Sequence, residues 1–534
     1  RRYSSAASDV YKRQDNTYAH LILSEDPIQK ERPSNNLQQT PFYLFPISAN
    51  NKQNLLEKIN HFKQKIEGNV DLSKLATETY LDFQKKQPEF YTFSLVGGSY
   101  QELLKEIEFA FEGIKKAFEN PREFKTPLGS YFTANPLSKQ GTIAFVYPGM
   151  ASSDIRLGKD IFRLFPKLYK NFSNLTNNVG QTLYEKLLYP RNLTNSFKQR
   201  KVNTEDFFSN GVAMCQSGIS LATLYTQILQ DIFKVKPQVA FGYSLGEASA
   251  MFFALGVWQN KFHNNSTSAS VALKKSPLFQ TELCGACLAG RKFWDFSLTN
   301  NKKEKFWQSY SLKTSVNQVK EVLKKETKVY LTFINTPEEV VISGDPQSCL
   351  KVIEKLNCYY TVINFDSVLH CEIAQDYFSD LLKIHDLPIK NKPDIKFYSS
   401  INCQPLLLES HILTDNSAQV CCQTVNFPKI VNTIYENGTR IFIEVGAKSN
   451  CTNWIQKILR DKEYLAVSIN TKGLNDYTGI IRLLAQLISH GVTVDLSCLY
   501  PPIYQVFSQD KSLIKKITLG AVSYTHLTLP TSND

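Results

Sequence analysis

No window of the 534-residue chain holds the run of about 18 uncharged apolar residues that a bilayer-spanning helix needs. The first residues have no signal-peptide pattern either, so the expected location is cytoplasmic. Lysine and arginine give a formal charge of +12, yet no dense basic block interleaved with base-stacking aromatics occurs, which argues against nucleic-acid binding. A diffuse positive surface suits a phosphate-bearing carrier or an acidic partner equally well, and a lysine-rich solvated surface accounts for most of it. The 11 cysteines are odd in number and lack the spacing of a secreted disulfide framework. The CxxC at Cys284 to Cys287 has no second pair at zinc-site spacing, so no metal site is expected and these residues read as small buried hydrophobes. Charged residues are 21% against 42% hydrophobic, which excludes disorder as the general state, and the length suits roughly three domains. No internal repeat occurs.

Both ends differ in texture from the interior. Residues 1–14 begin without methionine and residues 521–534 carry no periodic apolar pattern; both resemble translated adapter read-through and are set aside from the fold. Tyr18 to Leu23 lies in a short β-like run, and a Pro/Ser/Asn/Gln-rich connector follows from Pro27 to Thr40. Helical spacing at Leu55, Ile59, Phe62 and Ile66, further helices over 72–83 and 101–118, and a strand over Tyr91 to Val96 predict a small α+β domain. From Thr142 onward, short apolar runs alternate with amphipathic helices, the pattern of a parallel sheet flanked by helices. Its strands are expected at 143–147, 239–241, 362–365, 396–399 and 440–445. Between about residues 283 and 364 the pattern predicts an inserted α+β subdomain, with strands at 283–288, 329–334 and 340–343 and helices at 316–326 and 346–356.

The segment Phe241-Gly242-Tyr243-Ser244-Leu245-Gly246-Glu247 carries the chemistry. Glycines two residues before and after a serine permit a sharp strand-to-helix elbow, because a Cβ at either flank would collide with backbone. The hydroxyl then stands at a helix N-terminus, where free N–H groups favour a developing oxyanion. The same pattern alone also describes an N-cap serine between loop glycines. A serine nucleophile needs a base, and the best-placed histidine is His370 in Phe365-Asp366-Ser367-Val368-Leu369-His370. Asp345 or Asp366 is a candidate acid for a hydrolase-type triad.

With these segments in order, residues 142–500 resemble the acyltransferase domain of type I polyketide and fatty acid synthases, the malonyl-CoA:acyl carrier protein transacylase group. The resemblance rests on Pro148-Gly149-Met150, Leu157 to Phe162, Cys215-Gln216-Ser217-Gly218, Gly242 to Glu247, Asn335-Thr336-Pro337, Val341 to Asp345, His370, Phe442 to Gly446 and Gly491 to Leu496. Tyr243, Ala254 to Trp258 and Cys451 to Trp454 are most similar to the acyltransferases of polyunsaturated fatty acid synthases. The implied fold is α/β: an α/β-hydrolase-like parallel sheet with an inserted ferredoxin-like subdomain, preceded by a small α+β linker domain. The implied order is the end of a ketosynthase-like domain (15–27), a linker domain (28–140), the acyltransferase domain (141–500) and a following linker (501–520).

The resemblance implies transfer of an acyl group, malonyl in the family pattern, from coenzyme A to the phosphopantetheine of an acyl carrier protein, with a ketosynthase as neighbour and no bound cofactor. It implies Ser244 as nucleophile, His370 as base, the N–H groups of Leu245 and Met150 as oxyanion donors, and Gln216 in the acyl pocket. Malonyl-specific members clamp the carboxylate with an arginine about two dozen residues past the serine; here that region reads Ala272-Leu273-Lys274-Lys275. Lys275 is the substitute candidate for the substrate's carboxylate, and Arg291 is the next arginine. The rival readings are a serine hydrolase or thioesterase, and a catalytically silent docking domain.

Overall fold

The computed structural model describes residues 40–85, 90–120, 122–150, 152, 155–176, 178–190, 201–258, 276–296 and 305–500, together with the backbone of 7–12, 18–23, 151 and 197–200. Lys274, Lys275, residues 501–520 and residues 521–534 therefore lie outside the described residues, as does nearly all of the Pro27–Thr40 connector. Ala7–Lys12 pairs antiparallel with Tyr18–Leu23, so part of the segment set aside from the fold is a strand.

The main sheet has five parallel strands in the order Lys396–Phe397, Val239–Gly242, Thr142–Tyr147, Thr439–Glu444 and Leu465–Ser468. Parallel strands are covered on both faces, which explains their unbroken apolar runs: Ala144 to Tyr147 and Val239 to Gly242 are all buried. The helix Gly211–Gln227 is buried along nearly its whole length, as its apolar and small residues require. The expected α/β class is borne out.

The second sheet runs Tyr359–Ile363, Gln308–Lys313, Glu339–Gly344 and Val329–Thr336, with helices Val316–Leu323 and Pro346–Leu356 between them in sequence. That βαββαβ order and antiparallel pairing make the ferredoxin-like unit. Two strand expectations are corrected. Residues 283–288 form no strand, because Gly285 (φ 67°) and Cys287 (φ 49°) turn the chain in the left-handed region, leaving one bridge at Cys284 before a helix over Leu288–Phe293. The first strand of this sheet is Gln308–Lys313 instead. The apolar run at 362–365 belongs to the edge of this second sheet, through Tyr359–Ile363, and not to the parallel core. Its exposed, evenly spaced apolar residues look like a buried strand from sequence alone.

A fifth strand, Val425–Asn426, joins the ferredoxin-like sheet in parallel beside Phe333 and Ile334. It comes from the main chain segment after His370, so the seam between the two units is stitched directly behind the site. At the N-terminal side, Tyr43–Ala49, Tyr91–Gly97, Tyr131–Phe132 and Phe124–Lys125 form a four-stranded sheet with helices Lys52–Glu67, Leu72–Lys85 and Tyr100–Glu119. The helix Asp476–Ser489 links this sheet to the core, with the Ser94 hydroxyl donating to the Ala485 carbonyl at 2.9 Å. Tyr500 donates to the Leu44 carbonyl at 2.6 Å.

One of the tightest backbone approaches is at Gly246, where a Cβ would run into the Tyr147 carbonyl at the end of the central strand. Gly246→Ala should therefore force the strand and the following helix apart, at a cost of about 1–3 kcal/mol. Equilibrium urea unfolding measures it, and an unchanged midpoint would contradict this packing.

Candidate active site

Ser244 sits where the strand Val239–Gly242 turns into the helix that begins at Gly246. Its φ of 56° lies in the left-handed region, which non-glycine residues adopt seldom and which places the hydroxyl at the top of the turn. The turn closes because Gly242 has no side chain: a Cβ there would meet the Glu247 backbone nitrogen. The first turn of the helix, Gly246–Ala250, is π-wound.

His370 comes from a different part of the chain and also holds a positive φ, 63°. Its Nε2 lies 2.8 Å from Ser244 Oγ. The other ring nitrogen, Nδ1, lies 3.3 Å from the Gln423 carbonyl. A carbonyl only accepts, so Nδ1 carries the proton and Nε2 presents a lone pair to the serine hydroxyl. Burial lowers the His370 pKa to about 4, although the backbone contacts oppose the shift, so the ring is neutral near pH 7. Phe333, from the ferredoxin-like sheet, packs its ring 4.6 Å from the imidazole and 5.3 Å from the Tyr243 ring. Tyr243 in turn donates to Asn335 Oδ1 at 2.7 Å, fixing the elbow to the inserted unit.

Neither candidate acid reaches the imidazole. Asp345 caps the helix Pro346–Leu356, accepting from the Ser348 N–H at 2.8 Å, and Asp366 pairs with Lys305 at 3.6 Å. The Asp-Pro step itself carries the signal for that cap, since proline favours the first helical position. The orienting group is the Gln423 carbonyl, for which no side-chain signature exists.

Among the described residues, nothing accepts a hydrogen bond from the backbone N–H of Leu245 or of Met150. Both residues line the space around Ser244, with Met150 in a short 3-10 turn after the central strand. Gln216 is buried and lines the same space. Arg291 lies over the Phe306 ring at 4.7 Å and lines neither cavity at the serine, while Lys275 lies outside the described residues.

Two cavities meet at the Ser244–His370 pair. The outer one, about 490 Å³, is a cleft between the core and the ferredoxin-like sheet, lined by Ser309, Thr332, Ser343, Lys313, Trp454 and Lys457 among others. The inner one, about 60 Å³, runs back under the helix Gly211–Gln227.

No family model matches the chain. Against curated proteins it is 25% identical over 403 residues to one of the polyunsaturated fatty acid synthase subunits of Thraustochytrium sp., and 20% identical over 388 residues to a non-reducing polyketide synthase of Gibberella zeae. These matches cover 73% and 69% of this chain but 19% and 16% of the relatives, so the chain spans about a fifth of their length or less. Among solved structures, the acyltransferase domain from module 8 of the salinomycin polyketide synthase superposes with a TM-score of 0.66 at 14% identity, covering 86% of this chain and 99% of that one. The chain has the fold of a synthase acyltransferase domain. A second acyltransferase domain, that of ZmaA, agrees at a TM-score of 0.63 and 15% identity, covering 86% of this chain and 97% of that one. The resemblance read from the ordered segments is thus borne out in both sequence and fold.

Within this acyltransferase fold, the buried Glu247 ties the two halves of the site together. Its Oε1 accepts from the Ser400 N–H at 2.9 Å and from Asn416 Nδ2 at 3.1 Å, and burial raises its pKa. Asn416 lies on the helix Ser410–Cys422, whose Cys421 carbonyl accepts the His370 N–H at 2.7 Å. Glu247→Ala leaves two buried donors without their acceptor, a cost of about 1–3 kcal/mol for each. Urea unfolding of Glu247→Ala should show that loss and Glu247→Gln, which keeps an acceptor oxygen, a smaller one; equal losses would contradict this role.

Proposed function

We propose that this chain is the acyltransferase portion of a polyketide or polyunsaturated fatty acid synthase, moving an acyl group from coenzyme A through an ester on Ser244 to the phosphopantetheine thiol of an acyl carrier protein. The observation that carries the reading is the 2.8 Å contact between Ser244 Oγ and a neutral His370 Nε2, both lining a cleft of about 490 Å³. Coenzyme A and the carrier arm are substrates in this scheme, and no resident cofactor is called for.

In the first half-reaction Ser244 Oγ attacks the thioester carbonyl as His370 Nε2 takes the hydroxyl proton. The C–S bond breaks, and the coenzyme A thiolate leaves with the proton returned by His370. In the second half the carrier thiol gives its proton to His370 and attacks the ester; Ser244 Oγ leaves and recovers the proton. The oxyanion of each tetrahedral intermediate faces the free N–H groups of Leu245 and Met150, each such donor being worth about 3 kcal/mol of barrier. A donor from the backbone makes the methionine side chain at 150 compatible with this role. The Gln423 carbonyl holds the imidazole in the tautomer that Ser244 requires and stabilises the imidazolium as it forms.

The hydrolase reading drew its support from a serine–histidine–acid triad, and Asp345 and Asp366 are both engaged elsewhere. In the same proposal, residues 15–27 are the end of a ketosynthase-like domain, 28–140 the linker domain, 141–500 the transferase domain and 501–520 a following linker, with a ketosynthase and a carrier protein as partners. In the family pattern the cargo is malonyl, and Lys275 is the candidate for its counter-charge. Among the described residues no helix is long and apolar enough to cross a membrane.

Two measurements test the mechanism. Incubation with radiolabelled acyl-CoA should label the protein covalently, with the label absent from Ser244→Ala and its formation slowed about 10²–10⁴-fold in His370→Ala. Label retained on Ser244→Ala would place the chemistry elsewhere. The pH profile of acylation should keep its rate as pH falls through 6.5, where a free histidine is protonated, and lose it only near pH 4, where His370 gains a proton and can no longer accept one. An acid limb at about 6.5 would contradict the buried, neutral base.

A further inference from the structure

With the thioester arm assigned to the outer cleft, the inner chamber beside Ser244 is left for the acyl chain. Its walls are Ile219, Phe253, Phe279, Leu369, Ile384 and Leu387, and no lysine or arginine is among its described lining residues. Away from the Ser244–His370 pair, its polar side chains are Gln216, Ser249 and His385. His385 ends the helix Phe378–His385 and is buried, with Nδ1 2.8 Å from the Leu381 carbonyl. The carbonyl only accepts, so the proton is on Nδ1 and Nε2 is a bare acceptor with no hydrogen-bond donor among the described residues. Burial lowers the ring's pKa to about 4, which keeps it uncharged near pH 7.

A free carboxylate is poorly matched to such a chamber. A carboxylate there would be stripped of water against aliphatic and aromatic walls, with the neutral donors Gln216 and Ser249 but no cation among the described lining residues to pair with it, which costs several kcal/mol. An uncharged alkyl chain meets no such penalty and gains from every methylene it buries. The chamber also limits length: an apolar cavity of ~150 Å³ accepts benzene, so 60 Å³ admits roughly two or three carbons beyond the ester carbonyl.

We infer that the acyl group carried on Ser244 is a short uncharged one, of acetyl to butyryl size, seated in the inner chamber with its end toward His385, in place of malonyl. The inference rests on the acyl-serine reading and narrows its substrate class. Acylation of the full chain with acetyl-, butyryl-, octanoyl- and malonyl-CoA, followed by intact-protein mass spectrometry over time, tests it. Acetyl or butyryl should load at least about tenfold faster than malonyl and octanoyl. Malonyl or octanoyl loading as fast or faster, on Ser244, overturns the inference and leaves the acyl-serine mechanism standing. No adduct from any of the four overturns the acyl-serine mechanism and this inference with it. Phe279→Ala, which enlarges the chamber, should raise octanoyl loading relative to butyryl; an unchanged ratio in the folded variant would seat the chain outside the chamber and overturn the inference.

Discussion

The buried carboxyl of Glu247 is the contact on which the site depends. It is the second residue of the helix that starts at the elbow, and it reaches across to Ser400 and Asn416. Through Asn416 it fixes the helix Ser410–Cys422, and that helix and the residue just past it supply the carbonyls of Cys421 and Gln423 that hold the His370 backbone and ring. The nucleophile and its base lie 126 residues apart in sequence, yet one hydrogen-bonded path through a single helix sets their separation. A side chain at Gly242 or Gly246 would displace the start of that path, which is why the two glycines are steric requirements and not loop filler.

The ferredoxin-like unit contributes to the same geometry from the other side. Phe333 lies between Tyr243 and His370, and Asn335 receives the tyrosine hydroxyl. The parallel pairing of Val425–Asn426 with Phe333 and Ile334 carries this register to within two residues of the Gln423 carbonyl. The insertion therefore forms one wall of the outer cleft and also buries the imidazole, and burial is what keeps that imidazole neutral. The two cavities share the Ser244–His370 pair: the strands of the inserted sheet line the larger one with Ser309, Thr332 and Ser343, and the buried helix Gly211–Gln227 lines the smaller one with Cys215, Gln216 and Ile219.

Much of this was legible in the sequence because it depends on local sterics. The spacing of Gly242, Ser244 and Gly246 states the elbow directly, and the apolar runs at 142–147 and 239–242 state buried parallel strands. His370 was legible as a histidine following an apolar run, although that run proved to be the edge of the inserted sheet. What was not legible depends on tertiary placement. The orienter of His370 is a main-chain carbonyl, which any residue at 423 would supply. The inner chamber gathers side chains from segments spread between Met150 and Cys421, so neither its apolar character nor the part of His385 in it follows from periodicity. The strand expected at 283–288 failed for a local reason, two left-handed residues within an apolar run, one of them a cysteine with no propensity for that conformation.

The central claim is that Ser244 passes its acyl group to a carrier thiol. A pulse–chase experiment tests it most directly: the chain is loaded with labelled acyl-CoA, freed of excess reagent, and divided between buffer and buffer with a phosphopantetheinylated carrier protein. The account predicts that the label is stable in buffer and moves to the carrier within the time of mixing. Release as free acid at the same rate in both, with none on the carrier, would contradict it.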